Sequence, residues 1–167
     1  MKIQGKVWKY DDDINTDYIF PGVHTYVLMS EEEMGTHAME GIDVEFTKNA
    51  AKGDIIVAGK NWGCGSSREQ AVKCLKARGI GAVVTVSAAR IFYRNAINEG
   101  FPIVICPEAV ETTKAGEKIS IDFDKGQITN AKGVYSFKPY SEHIQSLMQC
   151  GGLLPYIRQS LAKKGCK

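Results

Sequence analysis

Gly59-Lys60-Asn61-Trp62-Gly63-Cys64-Gly65-Ser66-Ser67-Arg68-Glu69-Gln70-Ala71 is the stretch whose reading decides the fold. Asp54-Ile55-Ile56-Val57-Ala58 before it is a short apolar run of buried-strand type. Behind it, Val72, Leu75 and Ala77 recur at helical spacing and stop at Gly79. The order is therefore strand, glycine-rich turn, helix. Glycines at 59, 63 and 65 permit positive φ and close approach of a ligand to the backbone. Ser66 and Ser67 fall where an N-cap belongs, with Glu69 and Gln70 each three residues on as capping-box partners, which would point the first-turn amides into the bend. A helix N-terminus of that kind attracts anions, and Arg68 adds a planar fork of donors suited to carboxylate or phosphate. Plainer readings compete, since Gly-x-Gly turns also occur in structural crossovers and a Ser-Ser pair is often only a cap. The turn lacks the Lys-Ser/Thr ending of a P-loop and has no ribose-binding acidic partner, so a nucleotide is the weaker candidate anion.

Outward from the turn, Gly81 to Val86 is a β-branched run that completes a strand–helix–strand unit, which places Gly63–Ser67 at the carboxyl edge of a sheet, where ligands of α/β folds bind. A helix is expected from about Ala89 to Asn98 with Ser87 as a cap, then a third apolar strand, Phe101–Cys106. Upstream, Lys6–Tyr10 reads as a strand that runs into Asp11–Asp17, where Asp11 and Asp12 read as a solvated turn. Its aspartates lack the glycine and closing glutamate of a calcium-binding loop. Pro21-Gly22 marks a turn and loop. Ser30 with Glu33 starts a helix carrying Met34, Ala38 and Met39, on which His37 is a surface or packing residue. Beyond Pro107, Lys118–Phe123 alternates strictly, and short return strands at Gln127–Thr129 and Val134–Phe137 make a small antiparallel appendage. Helical segments at Tyr140–Cys150 and Leu153–Lys163, broken by Gly151-Gly152, and a frayed tail at Lys163–Lys167 close the chain. The fold class expected is α/β, a mixed sheet with flanking helices, as one domain over residues 1–167.

Charge and cysteine usage exclude several classes. Twenty-one basic against nineteen acidic residues give +2 without a basic stripe, so nucleic acid is not a partner. No apolar run approaches the ~20 residues of a membrane span and the N-terminus carries no signal-peptide core, which points to the cytoplasm. Five cysteines at irregular spacing, without a Cys-x-x-Cys pair, argue against a disulfide framework and against a zinc or iron–sulfur site held by this chain alone. Cys64 lies in the turn beside Arg68, but no histidine can be paired with it from sequence, and packing is the commoner use of a small buried cysteine.

Gly-Cys-Gly-Ser-Ser-Arg-Glu-Gln at 63–70 resembles the signature of the swivel domain of the aconitase superfamily, in particular the separate small subunits of isopropylmalate dehydratase and archaeal homoaconitase. Ser87–Gly100 is similar to the block that follows in those subunits, and Asp13-Ile14-Asn15-Thr16-Asp17 with Pro21-Gly22 resembles their N-terminal active-site segment. The resemblance implies a swivelling β/β/α-type domain and a hydro-lyase that moves a hydroxyl by eliminating and re-adding water. It implies Ser66 as the catalytic base, and Ser67, Arg68, Thr16 and Asp17 around a small dicarboxylate substrate. The loop Val27, Leu28, Met29 would set substrate choice. It also implies a large partner subunit carrying a [4Fe–4S] cluster, with this chain inactive alone. Homoaconitase-type members place an arginine in the loop region. This chain has no Arg before Arg68, and Val23-His24-Thr25-Tyr26 departs from the usual residues after Pro-Gly. Tyr26–Met29 instead suits an apolar substituent such as isopropyl or methyl, because a third buried carboxylate without a partner is costly. Homoaconitase, dimethylmalate-type dehydratase and a non-catalytic anion-binding module are the alternatives.

Overall fold

A computed structural model describes residues 1–164, with side chains through Ala162. The sheet turns on β1, Lys2–Tyr10. Its first half, Lys2–Lys6, pairs antiparallel with β5, Lys118–Asp122, and its second half, Val7–Tyr10, pairs parallel with β2, Ile55–Ala58. β3, Ala82–Thr85, and β4, Ile103–Ile105, continue the parallel side. β6, Gln127–Asn130, and β7, Gly133–Ser136, continue the antiparallel side, so the order is β4-β3-β2-β1-β5-β6-β7. The expected α/β mixed sheet is present. What was expected as an antiparallel appendage is continuous with it, because residues 2–5 extend the expected first strand far enough to pair with β5.

The parallel strands are joined through α4, Gln70–Ala77, and α5, Arg90–Asn98. β2 is buried at all four positions, and its side chains alternate between two cores as the pleat requires. Ile56 and Ala58 face a cluster with Phe46, Trp62, Leu75 and Phe92. Ile55 and Val57 face one with Val104, Val110, Ile119 and Ile128. The first face is covered by α4 and α5 and by the N-terminal helices α1, Thr16–Ile19, α2, Glu31–Thr36, and α3, Val44–Asn49. The second is covered by α6, Pro107–Thr112, and α7, Glu142–Cys150. α8, Leu153–Lys164, packs on α7.

Caps show how local signals fared. Ser30 Oγ accepts from Glu33 N at 3.1 Å, as its spacing predicts. The helix it starts ends at Thr36, earlier than expected, and Ala38 and Met39 are buried in the turns beyond. Ser87 does not cap α5, whose N-cap is Ala89 with no side-chain bond. Its hydroxyl accepts from Asn61 N at 2.9 Å instead. α3 lay in a stretch with no sequence expectation, although Asp43 caps it through Phe46 N at 2.9 Å. Of the expected frayed tail, Lys163 and Lys164 continue α8 and residues 165–167 lie outside the described residues. Among the described residues no helix is long and apolar enough to cross a membrane.

Candidate active site

The Gly59–Glu69 turn leaves the carboxyl end of β2 and is stitched to a neighbouring segment that arrives from β1. Lys60 N donates to Asp12 Oδ1 at 2.6 Å, Asn61 Nδ2 to Asp13 Oδ1 at 2.7 Å, Gly63 N to Ile14 O at 2.8 Å and Thr16 N to Cys64 O at 2.8 Å. Asp12 is thus a fastening of the turn, beyond the merely solvated residue expected of it. On the other side Trp62 N donates to Ser87 O and Ala89 N to Trp62 O, at 3.0 and 2.9 Å. The three sequence blocks, 12–17, 59–69 and 87–94, therefore meet at one sheet edge. Gly63 has φ +71°, and a Cβ on it would stand 2.2 Å from the Phe92 ring, so only glycine fits here. Gly59 has no positive φ, contrary to expectation. Asn61 takes the left-handed conformation in its place, at φ +60°.

Ser66 and Ser67 are not the cap of α4. The helix begins at Gln70, and its N-cap Glu69 is itself in helical conformation without a capping side-chain bond. The Glu69 carboxylate reaches Lys73 at 3.2 Å. A hydrogen bond from Glu99, with Lys73 beside it, holds Glu69 below the usual carboxylate range, while burial and Glu69 push Glu99 up. The two serines precede the helix on non-helical backbone, exposed, with hydroxyls that the helix does not consume.

Two contacts across the site join the turn to the N-terminal segment. Thr16 Oγ1 donates to Ser66 O at 3.2 Å and lies 3.4 Å from Ser66 Oγ. Arg68 Nη2 meets Asp17 Oδ1 at 2.7 Å, and Nη1 donates to Phe20 O at 3.2 Å. Thr16 is 1% exposed and its hydroxyl is directed at Ser66, so it acts on the turn from beneath and has no open face for a substrate. Asp17 is half exposed, but its carboxylate is given to Arg68, and Gly22 packs against that pair. In the loop, Tyr26, Val27 and Leu28 stand out, Leu28 fully exposed at 101%, whereas Met29 is half buried and packs on the core, apart from the other two. Cys64 Sγ turns to Asp13 O at 3.7 Å. A cleft of about 400 Å³ lies apart from these side chains, by Tyr93 and Tyr140, and one of about 510 Å³ borders the start of the turn at Asp12 and Gly59, between Lys9 and Glu111. Neither cleft is lined by the two serine hydroxyls or by the Arg68 guanidinium paired with Asp17.

Residues 19–108 match the family described as the Aconitase C-terminal domain. The chain is 50% identical over 164 residues to the 3-isopropylmalate dehydratase small subunit of Aliarcobacter butzleri, covering 96% of this chain and 97% of that one. It is 46% identical over 160 residues to the 2,3-dimethylmalate dehydratase small subunit of Eubacterium barkeri, covering 94% and 97%. The crystal structure of 3-isopropylmalate dehydratase from Methanocaldococcus jannaschii superposes with a TM-score of 0.92 at 39% identity, over 99% of this chain and 98% of that one. Likeness at that level over nearly the whole length, on the same sheet, leaves one assignment: this chain belongs to the aconitase-type dehydratase small subunits, the family of the 3-isopropylmalate and 2,3-dimethylmalate dehydratase small subunits.

Proposed function

We propose that this chain is the small subunit of a cytoplasmic 3-isopropylmalate dehydratase, which interconverts 2- and 3-isopropylmalate by removing water and adding it back, with the active site completed by a large subunit. In the dehydration, a base takes the proton from the carbon next to a carboxylate, the hydroxyl on the neighbouring carbon departs and gains a proton to leave as water, and a double bond forms between the two carbons, so that one proton and one hydroxyl are lost in all. Ser66 is the proposed base, and Ser67 and Arg68 hold a substrate carboxylate. The bonds to Asp17 and Phe20 O take two of the five N–H donors of a guanidinium, so Arg68 can grip a carboxylate while Asp17 fixes its direction. Thr16 sets the position of Ser66. An isolated serine hydroxyl is a poor base at neutral pH. Deprotonated Ser66 therefore needs the positive field of Arg68 in a site that the partner closes off from water.

Among the described residues no three thiols approach one another. Cys74 is buried against Ile19 O and Ala71 O, and Cys106 lies by Ser136 O. These residues do not fit an iron–sulfur cluster, and we assign the cluster to the large subunit. The observation that carries the reading is the paired contact between segments about fifty positions apart in sequence, Thr16 on Ser66 and Asp17 on Arg68. An apolar loop front at Val27 and Leu28, with no arginine before Arg68, favours an alkyl-substituted substrate over one with a third carboxylate. The same front admits 2,3-dimethylmalate, and the relative of that name makes it the second reading.

The test is anaerobic co-expression with a large subunit of the same dehydratase family, and hydration assays on isopropylmaleate, dimethylmaleate and homoaconitate, each repeated with Ser66→Ala. Turnover of isopropylmaleate that Ser66→Ala lowers by ~10³-fold or more is expected, the loss typical of a catalytic base. Preference for dimethylmaleate selects the second reading, activity on homoaconitate alone refutes the loop argument, and no complex at all leaves an anion-binding module.

A further inference from the structure

His24 ends the short 3-10 turn Gly22–His24, and His37 is the C-cap of α2. Their spacing in sequence carries no ligand signature, yet the fold stacks their rings 3.9 Å apart at 26°. His24 Nε2 and His37 Nδ1 are both turned onto one oxygen, Glu40 Oε2, at 3.0 and 2.5 Å. All three donor atoms lie within 4.8 Å of one another, the one such group among the described residues. None of the three takes part in the chemistry proposed for Ser66 and Arg68.

We propose that His24, His37 and Glu40 bind a divalent first-row transition-metal ion, Zn2+ being the ion best matched. Two imidazole nitrogens and one carboxylate oxygen are the protein donors of open four-coordinate zinc sites, in which water takes the fourth position. Imidazole in the majority selects against Mg2+ and Ca2+, which take oxygen donors. The side chains are held yet reachable: His24 and His37 are 20% and 26% exposed, and Glu40, at 42%, opens the site to water. The His24 ring also rests on buried Phe20, 5.8 Å between centroids. Bonds of ~2.0–2.1 Å at tetrahedral angles need donors roughly 3.3 Å apart and, with each lone pair in its ring plane, ring centroids roughly 5 Å apart, so binding moves each nitrogen off the carboxylate oxygen by less than about 1 Å and parts the stacked rings by about 1 Å.

The ion would tie the loop to the end of α2. His24 O accepts from Val27 N at 3.2 Å at the base of the exposed Val27-Leu28 front, and Met39 N on the other side donates to Ile19 O at 2.8 Å. Gly22, two residues before His24, packs on the Asp17–Arg68 pair. Occupancy therefore fixes the loop relative to the guanidinium, whichever substrate the loop faces, and the site stands or falls independently of the proposed dehydratase substrate.

The experiment is a Zn2+ titration of the full chain in competition with a chromophoric chelator, alongside Co2+ absorption spectra. One equivalent of Zn2+ per chain is expected, weakened at least ~100-fold by His24→Gln and by His37→Gln and unchanged by His143→Gln and Cys150→Ser, since losing a ligand exceeds the 10–100-fold cost of losing an outer-shell partner. Co2+ should give the visible bands of a four-coordinate nitrogen and oxygen site. The proposal is overturned by absence of stoichiometric binding, by binding that survives both histidine substitutions, or by a Co2+ spectrum with thiolate charge transfer. That last measurement uses the unsubstituted chain, so it decides the matter even where a variant folds poorly.

Discussion

Gly63→Ala tests the link between the turn and the core. The residue is at φ +71°, a left-handed backbone that costs an L-residue about 1–2 kcal/mol. The new methyl would stand 2.2, 2.3 and 2.6 Å from Phe92 Cγ, Cδ2 and Cβ, against the ~3.5–4.0 Å that carbon atoms need. Phe92 is 2% exposed and T-shaped to fully buried Trp62, so its ring cannot retreat without overpacking, which costs about 1–3 kcal/mol. The sum is a loss of about 2–5 kcal/mol. Gly65→Ala is the internal control: φ is +96°, but the nearest atom to a new Cβ is Thr16 Oγ1 at 3.3 Å, so backbone strain dominates and the loss is about 1–2 kcal/mol. Urea unfolding followed by circular dichroism, with equal slopes for all variants, reads the difference directly. Phe92→Leu in the Gly63→Ala background should recover part of the loss, because those two changes share one contact. Equal costs for Gly63→Ala and Gly65→Ala, or no recovery with Phe92→Leu, would refute the argument that the Phe92 contact is what demands glycine.

Asp17→Asn should leave the unfolding midpoint nearly unchanged, because a pair in which Asp17 is 56% exposed contributes at most about 1 kcal/mol after solvent screening. In the complex with the large subunit it should raise KM, since the Arg68 fork loses its anchor. A large stability loss with unchanged KM would reverse the assignment. Burial pushes the Cys74 and Cys106 thiols up, so a thiol reagent at neutral pH should label Cys64 and Cys150 in the native protein and reach Cys74 and Cys106 only after unfolding. Burial also raises the Tyr10 and Tyr140 phenols, helped at Tyr10 by Asp43. Folded values above the unfolded one mean that stability is fully present below about pH 10 and declines as pH rises past it. Spectrophotometric titration of the seven tyrosines should accordingly show a fraction that ionises only as circular dichroism is lost.

Much of this molecule is legible in short windows of sequence. β2, the stop of α4 before Gly79, the Ser30 cap and the alternation of β5 all follow from local periodicity and cap chemistry. The gathering of Thr16, Asp17, Ser66 and Arg68 was legible only through the family resemblance, since no local rule brings residue 16 to residue 66. The His24–His37–Glu40 group was not legible at all, because its donors come from a loop and a helix end with no recurring interval between them.

The misread hydroxyls share one physical cause. Ser66, Ser67 and Ser87 each stand where a cap belongs, and a cap contributes about 1 kcal/mol, as does an ordinary hydrogen bond to a distant partner. Local spacing therefore cannot decide between the two uses. Pairing of Ile14–Thr16 with Gly63–Cys64 holds the backbone of the turn in non-helical form up to Arg68, so α4 cannot start early enough to recruit Ser66 or Ser67. The same stretch brings Asn61 N to Ser87 Oγ and takes that hydroxyl away from α5. The long-range stitching that defeats the capping prediction is also what leaves Ser66 and Ser67 exposed at the sheet edge, with neither hydroxyl spent on the helix, Thr16 beneath Ser66 and Arg68 beside them.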